Sequence, residues 1–566
     1  MVTFAGFVAC SGGQNPVPLP SSAMTAQRAT LTLRIHIPKR RAHRARRGIR
    51  PRYVSPATAA MTLAIAGPTT LNTTVALTPT SNGCSSSLAG TTCQLTLSLR
   101  PCATNNCYTA TIVTYDAVSC SGSSCSIPPS ANKLSGAQNV PFMIHAGQNN
   151  VTNLTLGGIP ATVTVTPLLP GYLRGDAQRL QLWGAAPQKL DVLALDADGN
   201  AIVGPGSPAL LASSSSPTLK VTVGSGAPNT LVLSAATSGS PAVVTPGSVK
   251  LSITVAPQSD SGGSPISLTV PVAIAHSALY VGLTTSAIAI YYDGNRTTPN
   301  LTISGGSTML DGTGIDQFAV DGNGTLYLAQ DSEILEWPAG TNGDVAPSVT
   351  ISGATTTMDM AAGIAVGPNG AMYVSNFGNN SITEFAQGAS GDVAPVNTIS
   401  GGATGLNFPD RDALDAAGTL YVVDRAGNSV VEFQSGASGN ASPSATISGS
   451  NPNLSLPISV AVDGSGALYV GDATPQIAEF APGASGNAVS VARISGGMTD
   501  LGGGAVVAIA ADAAGTIYAS TNATPRVVEY APGSSGNVAP AATISLSATA
   551  YALYAVPAPN INVLTP

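Results

Sequence analysis

The sequence predicts an all-β protein whose C-terminal half repeats one unit. Short alternating runs of Val, Ile, Leu, Thr and Tyr, bounded by Gly turns, recur along the 566 residues, and such alternation is typical of half-buried strands. A fixed period of roughly 40–50 residues filled with short strands indicates a β-propeller. A hydrophobic residue followed by Tyr recurs here at steps of 46 to 49 residues, which predicts six blades: Tyr280, Tyr327, Tyr373, Tyr421, Tyr469 and Tyr518.

Composition limits the functions open to the chain. Only 9% of the residues are charged, against a usual share of about 25%. No apolar run reaches the ~18 residues of a membrane-spanning helix. From His276 onward the chain carries 22 acidic residues, five arginines and no lysine. We therefore predict that the repeat half binds no nucleic acid, because its charge would repel phosphates.

Residues 1–28 are predicted to be a truncated signal followed by a flexible tether. The run Phe7-Val8-Ala9-Cys10, followed by Ser-Gly-Gly, resembles a bacterial lipobox. That resemblance implies a lipid on Cys10 and an extracytoplasmic protein, either a membrane-anchored lipoprotein or secreted. Only nine residues precede Cys10, and none is basic. The start therefore lies too far downstream, or the match is accidental and the segment is an ordinary apolar N-terminus.

A basic loop at 38–52 follows the first predicted strand, Ala29–Ile37. Nine Lys and Arg residues and no acid lie between Arg34 and Arg52. Residues 39–52 suit adhesion to an anionic membrane or envelope surface. The alternative is a solvated loop with no specific partner. Lipid attachment at Cys10 would bring the loop within reach of a membrane, which favours adhesion.

Six cysteines in about forty residues predict three disulfides and an oxidising compartment. A zinc site is the alternative, but structural zinc sites favour closely spaced cysteine pairs with His or further Cys, and no His lies in this stretch. Two pairs each enclose a short polar loop that flanking strands would bring together. We predict sequential pairing, Cys84 with Cys93, Cys102 with Cys107, and Cys120 with Cys125.

Two β-sandwich domains are predicted ahead of the propeller, at 29–165 and 166–275, with the propeller at 276–566. Short strands and polar turns suggest immunoglobulin-like or prealbumin-like sandwiches. The immunoglobulin spacing of Cys, Trp and Cys across the sheets is absent. The cysteines would therefore join loops rather than sheets.

Each repeat is predicted to form four strands. A strand such as Gly363–Val366 precedes a DxxG-type turn, then come the Tyr strand, a strand such as Ile382–Phe385 ending in Glu and an aromatic residue, and a Gly-rich loop before a TISG strand. The pattern resembles NHL-type propeller repeats, with Asn-Ser where that family has Asn-His-Arg. The tail after Thr543 is predicted to supply the missing strand of the first unit and close the ring.

We predict no catalytic, metal-binding or cofactor-binding residues. Streptogramin-lyase-like and amidating-lyase-like propellers have a similar repeat pattern and rely on histidines, but the repeats hold none beyond His276 at their edge. Lactonase-like propellers hold a divalent ion with Glu, Asn and Asp. The acids of this chain recur at equivalent places in each unit, which is what a structural role predicts.

The most informative positions are those where the repeat fails. Asp410, Arg411 and Asp412 break the fourth unit and are candidate channel-mouth residues, with a local ion pair in a turn as the alternative. We predict a non-catalytic, extracytoplasmic binding protein that presents the propeller on a sandwich stalk to an unidentified protein or glycan ligand. The alternative is a lactonase-like hydrolase or lyase with a divalent cation, such as calcium, in the channel.

Overall fold

The computed structural model describes residues 2–4, 29–38 and 54–557, except 89, 103–106, 123, 147–149, 151–152, 155, 169–170, 203–206, 225–228, 241, 260, 312–314 and 452–453. Cys10 and the basic loop at 39–52 lie outside the described residues. Helix in the described part is confined to one 3-10 turn, Ala354–Thr356. No helix in that part is long and apolar enough to cross a membrane.

The first unit has two five-stranded sheets that share one hydrophobic core. The alternation of β2 buries Leu31 and Leu33 against Met61 and Leu63 of β3. The sheet orders are β11-β1-β2-β6-β5 and β12-β10-β7-β3-β4, with β8 and β9 as a separate hairpin. The strands are β1 (Val2–Phe4), β2 (Ala29–Pro38), β3 (Ala60–Ala66), β4 (Leu71–Ala76), β5 (Cys84–Ser87), β6 (Gly90–Leu99), β7 (Tyr108–Tyr115), β8 (Ser119–Ser121), β9 (Ser124–Ser126), β10 (Lys133–Phe142), β11 (Asn153–Leu154) and β12 (Gly157–Gly158).

The three disulfides of this unit have the predicted sequential pairing. Cys84 is bonded to Cys93, Cys102 to Cys107, and Cys120 to Cys125. The first joins adjacent strands β5 and β6, and the third joins the two strands of the β8–β9 hairpin. Disulfides of this kind are typical of an oxidising, extracytoplasmic environment.

The second unit also has two sheets around one core, which includes Leu182, Leu190, Leu233 and Leu251. The sheet orders are β13-β16-β19-β18 and β14-β15-β23-β22-β17, with a small β20–β21 pair. The strands are β13 (Thr162–Pro167), β14 (Leu173–Gly175), β15 (Leu180–Trp183), β16 (Gln188–Leu195), β17 (Ala209–Ser214), β18 (Leu219–Val223), β19 (Thr230–Ala235), β20 (Thr237–Ser238), β21 (Val243–Val244), β22 (Gly247–Ala256) and β23 (Ile266–Ala275).

Two strands depart from the predicted domain limits. β13 pairs with β16, so the strand near 162–167 belongs to the second unit rather than to the predicted 29–165 domain. Val2–Phe4 pairs with β2, although it lies in the segment predicted to be signal and tether. Alternation alone identifies a strand but not the sheet it joins, since both sheets would accept the same apolar face.

The C-terminal half of the described chain is a β-propeller built from four-stranded antiparallel sheets. Their orders are β26-β25-β24-β47, β27-β28-β29-β30, β31-β32-β33-β34, β35-β36-β37-β38, β39-β40-β41-β42 and β43-β44-β45-β46. The strands are β24 (Ala278–Leu283), β25 (Ala287–Tyr292), β26 (Leu301–Ser304), β27 (Gln317–Val320), β28 (Leu326–Gln330), β29 (Glu333–Trp337), β30 (Val349–Ser352), β31 (Ala361–Val366), β32 (Met372–Asn376), β33 (Ser381–Phe385), β34 (Asn397–Ser400), β35 (Pro409–Leu414), β36 (Leu420–Asp424), β37 (Ser429–Phe433), β38 (Ala445–Ile447), β39 (Pro457–Val462), β40 (Leu468–Asp472), β41 (Gln476–Phe480), β42 (Ala492–Ser495), β43 (Val506–Ala511), β44 (Ile517–Thr521), β45 (Thr524–Tyr530), β46 (Ala542–Ser545) and β47 (Ala550–Val556).

The innermost strands surround a central channel. β27, β31, β35, β39, β43 and β47 contact one another in that order, and β47 also contacts β27. β47 pairs antiparallel with β24, as predicted for the tail. Aromatic residues at the end of the third strand in the second to sixth sheets fill the space between sheets and are almost fully buried: Trp337, Phe385, Phe433, Phe480 and Tyr530.

The repeated acids serve the turns. In the second sheet, Asp321 Oδ1 accepts hydrogen bonds from the backbone of Asn323 and Thr325, and its Oδ2 accepts one from the Tyr327 hydroxyl. Asp415 and Asp463 make the same set of bonds. An Asp that bonds its own turn in this way stabilises the hairpin. The recurrence of these acids therefore has a structural cause.

The Gly-rich loops fasten each sheet to the one before it. One side-chain oxygen in each loop accepts a backbone N–H that follows the outer strand of the preceding sheet, at 2.7 Å in all five cases. We call these loops the clasps; their acceptors are Asp344, Asp392, Asn440, Asn487 and Asn537. Among the described residues, the junction of the last and first sheets has no clasp and carries the ion pair of Arg296 with Glu529.

The second unit packs against the propeller at this junction, which we call the seam. Tyr172 donates its hydroxyl to Asp512 Oδ2 at 2.6 Å. In the second, fourth and fifth sheets, the turn aspartate accepts the equivalent bond from a tyrosine of its own sheet. Asp293 accepts from the Val244 backbone N–H at 2.9 Å. Trp183 packs against Tyr554 of the closing strand β47.

Candidate functional site

Two cavities lie at opposite ends of the central channel. Where the innermost strands begin, a funnel of about 440 Å³ opens, and its wall includes Asp316, Asp331, Asp410, Arg411 and Arg425. Where those strands end, a cavity of about 50 Å³ is lined mainly by apolar residues, together with Gln317 and Asp412. The larger cavity falls within the range of ligand pockets, so the funnel is the candidate site.

Arg411 separates the two cavities. Its Nε donates to the Asp316 carbonyl at 2.8 Å and its Nη2 to the Tyr551 carbonyl at 2.9 Å. Tyr551 lies on β47, which faces β35 across the ring, so the side chain crosses the channel. Ile458 contributes a third carbonyl at 3.5 Å from Nη1. Equivalent positions hold small residues in the third, fifth and sixth sheets, Gly363, Ser459 and Ala508. The second sheet has Gln317 there, whose side chain bonds the inner strands β31 and β35.

Asp410 lies between two arginines at the bottom of the funnel. Arg425 approaches one carboxylate oxygen at 3.4 Å and Arg411 the other at 4.0 Å. Burial raises the pKa of Asp410 to about 6, against the opposing effect of both arginines. Burial also raises the pKa of Asp316, and the nearby Asp331 adds to that rise. The funnel wall thus holds three aspartates and two arginines, and part of it is poorly solvated.

Asp412 faces the small cavity and has no charged partner among the described residues. Ser375 donates its hydroxyl to Oδ2 at 2.8 Å, but Oδ1 accepts no hydrogen bond from the described part of the chain and the residue is 1% exposed. Burial raises the pKa of Asp412 to about 8. Its backbone N–H and carbonyl are bonded to the Gln317 side chain, which links β35 to β27. Asp412 at neutral pH is thus a mostly protonated acid within the ring.

Apolar side chains lie along the side of the funnel mouth that the third, fourth and fifth sheets form. Met360, Phe408 and Leu456 each directly precede an innermost strand and are 58%, 44% and 46% exposed. All three have left-handed backbone conformations, with φ of 49°, 59° and 51°. Non-glycine residues adopt this conformation at a cost of about 1–2 kcal/mol each. Phe377 extends the rim by packing against Phe408 at 4.9 Å. We call these four residues the apolar rim.

Hydrogen bonds from neighbouring sheets fix the rim in place. The Phe408 N–H donates to Asn380 Oδ1 at 2.7 Å, and the Leu456 N–H donates to Asn428 Oδ1 at 2.8 Å. Both asparagines are also left-handed. These bonds hold the backbone of Phe408 and Leu456 in the conformation that exposes their side chains.

The residues predicted from the sequence lie in a strand and not in a turn. Asp410, Arg411 and Asp412 occupy β35, where Asp410 points to the funnel, Arg411 crosses the channel and Asp412 faces the small cavity. Sequence reasoning missed Asp316, Asp331, Gln317 and the apolar rim. A large apolar residue just before the first strand of the third, fourth and fifth sheets is a visible signal for the rim. Among the described residues, no group of three or more His, Cys, Asp or Glu is arranged to hold a metal ion.

Comparisons with known proteins add no family. No protein-family model and no curated protein matches the chain. Solved structures with similar folds include a protein of unknown function from Bacteroides caccae, which is 12% identical, covers 50% of this chain and 99% of its own, and has a TM-score of 0.36. A streptogramin B lyase is 10% identical, with 57% and 84% covered and a TM-score of 0.30. The WD40 β-propeller domain of Doa1 is 11% identical, with 49% and 82% covered and a TM-score of 0.34. At these values the likenesses carry no argument about function.

Proposed function

We propose that this chain is a non-catalytic extracytoplasmic binding protein whose ligand, a protein or glycan, binds in the funnel. The observation that carries the proposal is Arg411, whose guanidinium is bonded to backbone carbonyls across the ring and closes the channel. The funnel is thus a blind pocket with an exposed apolar rim. The repeated aspartates Asp321, Asp415 and Asp463 are bonded to their own turns, so they do not favour the hydrolase or lyase alternative with its divalent cation.

The architecture supports a finer description of the carrier. We propose that the six four-stranded sheets are the blades of a six-bladed, NHL-type propeller. The two units before it would be β-sandwiches of immunoglobulin-like or prealbumin-like type that act as a stalk. Each unit places two sheets on one core, which is the arrangement of a sandwich.

The proposed setting is the outside of a bacterial cell. Three disulfides favour an oxidising compartment. Lipidation of Cys10 would anchor the protein, and otherwise it would be secreted. The basic loop at 39–52 would then rest on an anionic membrane or envelope surface.

Array binding with matched variants tests the function. The purified protein is applied to peptide and glycan arrays beside Phe408→Ser in the rim and Val489→Ser in a clasp, where Val489 is 68% exposed. We expect at least one ligand that the wild type and Val489→Ser bind equally and that Phe408→Ser binds at least tenfold more weakly. Equal binding by all three proteins on every array would overturn the proposal, as would turnover of an arrayed ester or glycoside that chelation abolishes.

A further inference from the structure

We propose that the funnel receives a cationic side chain, Arg or Lys, from a polypeptide partner, with apolar neighbours of that residue packed on the apolar rim. The inference rests on the proposed function and names the chemical class of its ligand. Three features of the described residues carry it: the shape of the funnel, its charge, and the exposed apolar rim.

The walls of the funnel differ in character. Its charged residues come from the second and fourth sheets and from their connections. The facing wall is neutral and includes Ile458, Val507, Asn522 and Tyr551. A ligand that fills both parts needs a charged group on one side and an uncharged body on the other. A side chain attached to a peptide backbone has this form.

The charges select a cation. Both arginines already face carboxylates or carbonyls: Arg411 is bonded across the ring, and Arg425 lies against Asp410. In contrast, the Asp331 carboxylate makes no hydrogen bond or ion pair with the described residues, and Asp316 is 39% exposed with Arg411 no nearer than 4.0 Å. Two carboxylates that lack a close cation attract a guanidinium or ammonium group, most strongly where solvent is partly excluded.

The electrostatic field of the whole propeller also favours a cation. From His276 onward there are 22 acidic residues and five arginines, so the propeller as a whole attracts a basic segment and repels acidic peptides and anionic lipids. The apolar rim supplies contact area, because its side chains are exposed and would leave water when a partner covers them. A strained, exposed apolar position is a reason to look for a binding role.

A pair of labelled peptides tests the inference. The probes are fluorescein-labelled Gly-Leu-Arg-Leu-Gly and the same peptide with citrulline, which keeps the shape of Arg but not its charge. Fluorescence anisotropy at low salt should show at least tenfold tighter binding of the Arg peptide by the wild type. The preference should fall to about twofold or less in the double variant Asp316→Asn, Asp331→Asn, and it should weaken as salt rises.

The matched control removes the same charge elsewhere. Asp344→Asn with Asp392→Asn places asparagine in two clasps, as Asn440 already does in another, and should keep the preference for Arg. A preference that survives Asp316→Asn, Asp331→Asn would overturn the inference. Tighter, funnel-dependent binding of a peptide copy of residues 39–52 would overturn it as well, because the occupant would then be this chain's own basic segment.

The two proposals fail in different ways. If a neutral or acidic probe binds and Phe408→Ser abolishes that binding, the funnel is a binding site but the cationic ligand class is wrong. If Phe408→Ser changes the binding of no probe or arrayed ligand, the binding function itself is wrong.

Discussion

Replacing Arg411 with Met tests whether the channel is closed by a structural bridge. The side chain is 6% exposed and makes hydrogen bonds of 2.8 and 2.9 Å to carbonyls of two other sheets. A hydrogen bond to a charged group contributes about 1.5–3 kcal/mol, and removing one side of a buried ionic network costs about 3–5 kcal/mol. We therefore expect Arg411→Met to lower the free energy of unfolding of the propeller by about 3–5 kcal/mol.

Urea unfolding followed by Trp337 fluorescence measures this loss. Trp337 lies fully buried in the second sheet, and Trp183 is replaced by Phe in every protein compared, so that only the propeller reports. Arg425→Met is the control: that side chain is 43% exposed with one contact at 3.4 Å, and we expect a loss of at most about 1 kcal/mol. A loss for Arg411→Met below about 1 kcal/mol, or no larger than that of the control, would refute the bridge.

Three further predictions concern the ring and its attachment. The pKa of Asp412 is raised to about 8 in the folded state, above an unfolded value near 4, so its contribution to stability is lost as pH rises through this range, by up to about 1.4 kcal/mol per unit. Between pH 5 and 7, the free energy of unfolding of Asp412→Asn, measured in urea, should rise by about 2–3 kcal/mol relative to that of the wild type. Parallel pH profiles of the two unfolding free energies would contradict this. Tyr172→Phe removes a hydrogen bond to a carboxylate and should weaken docking of the second unit by about 1.5–3 kcal/mol. Urea unfolding followed by Trp183 fluorescence in a Trp337→Phe background measures this loss. An unfolding midpoint equal to that of the background protein would count against the prediction. Asn440→Ala should lower the free energy of unfolding by about 1 kcal/mol. Asn440→Asp should leave it almost unchanged, because Asp is the acceptor in other clasps. Equal losses for the two variants in urea unfolding would show that the clasp bond is unimportant.

The repeat made much of the propeller predictable. Tyr spacing, the Asp turns and the tail strand each followed from patterns local to one unit, and β47 does pair with β24. The clasps could not be predicted, since Asn440 bonds a backbone 37 residues earlier and nothing in the loop indicates its partner. Arg411 was singled out because it broke the pattern, but its carbonyl partners are backbone atoms of Asp316 and Tyr551, which have no sequence signature.

The seam makes the second unit a mechanical part of the propeller. A force between the N-terminal end and a ligand in the funnel passes through the second unit, where the hydrogen bonds of Tyr172 with Asp512 and of Val244 with Asp293 share it with the covalent link from β23 to β24. These bonds hold the one junction that has no clasp in the described chain. Load on a bound partner would therefore act on the last and first sheets, at the place where β47 completes the ring.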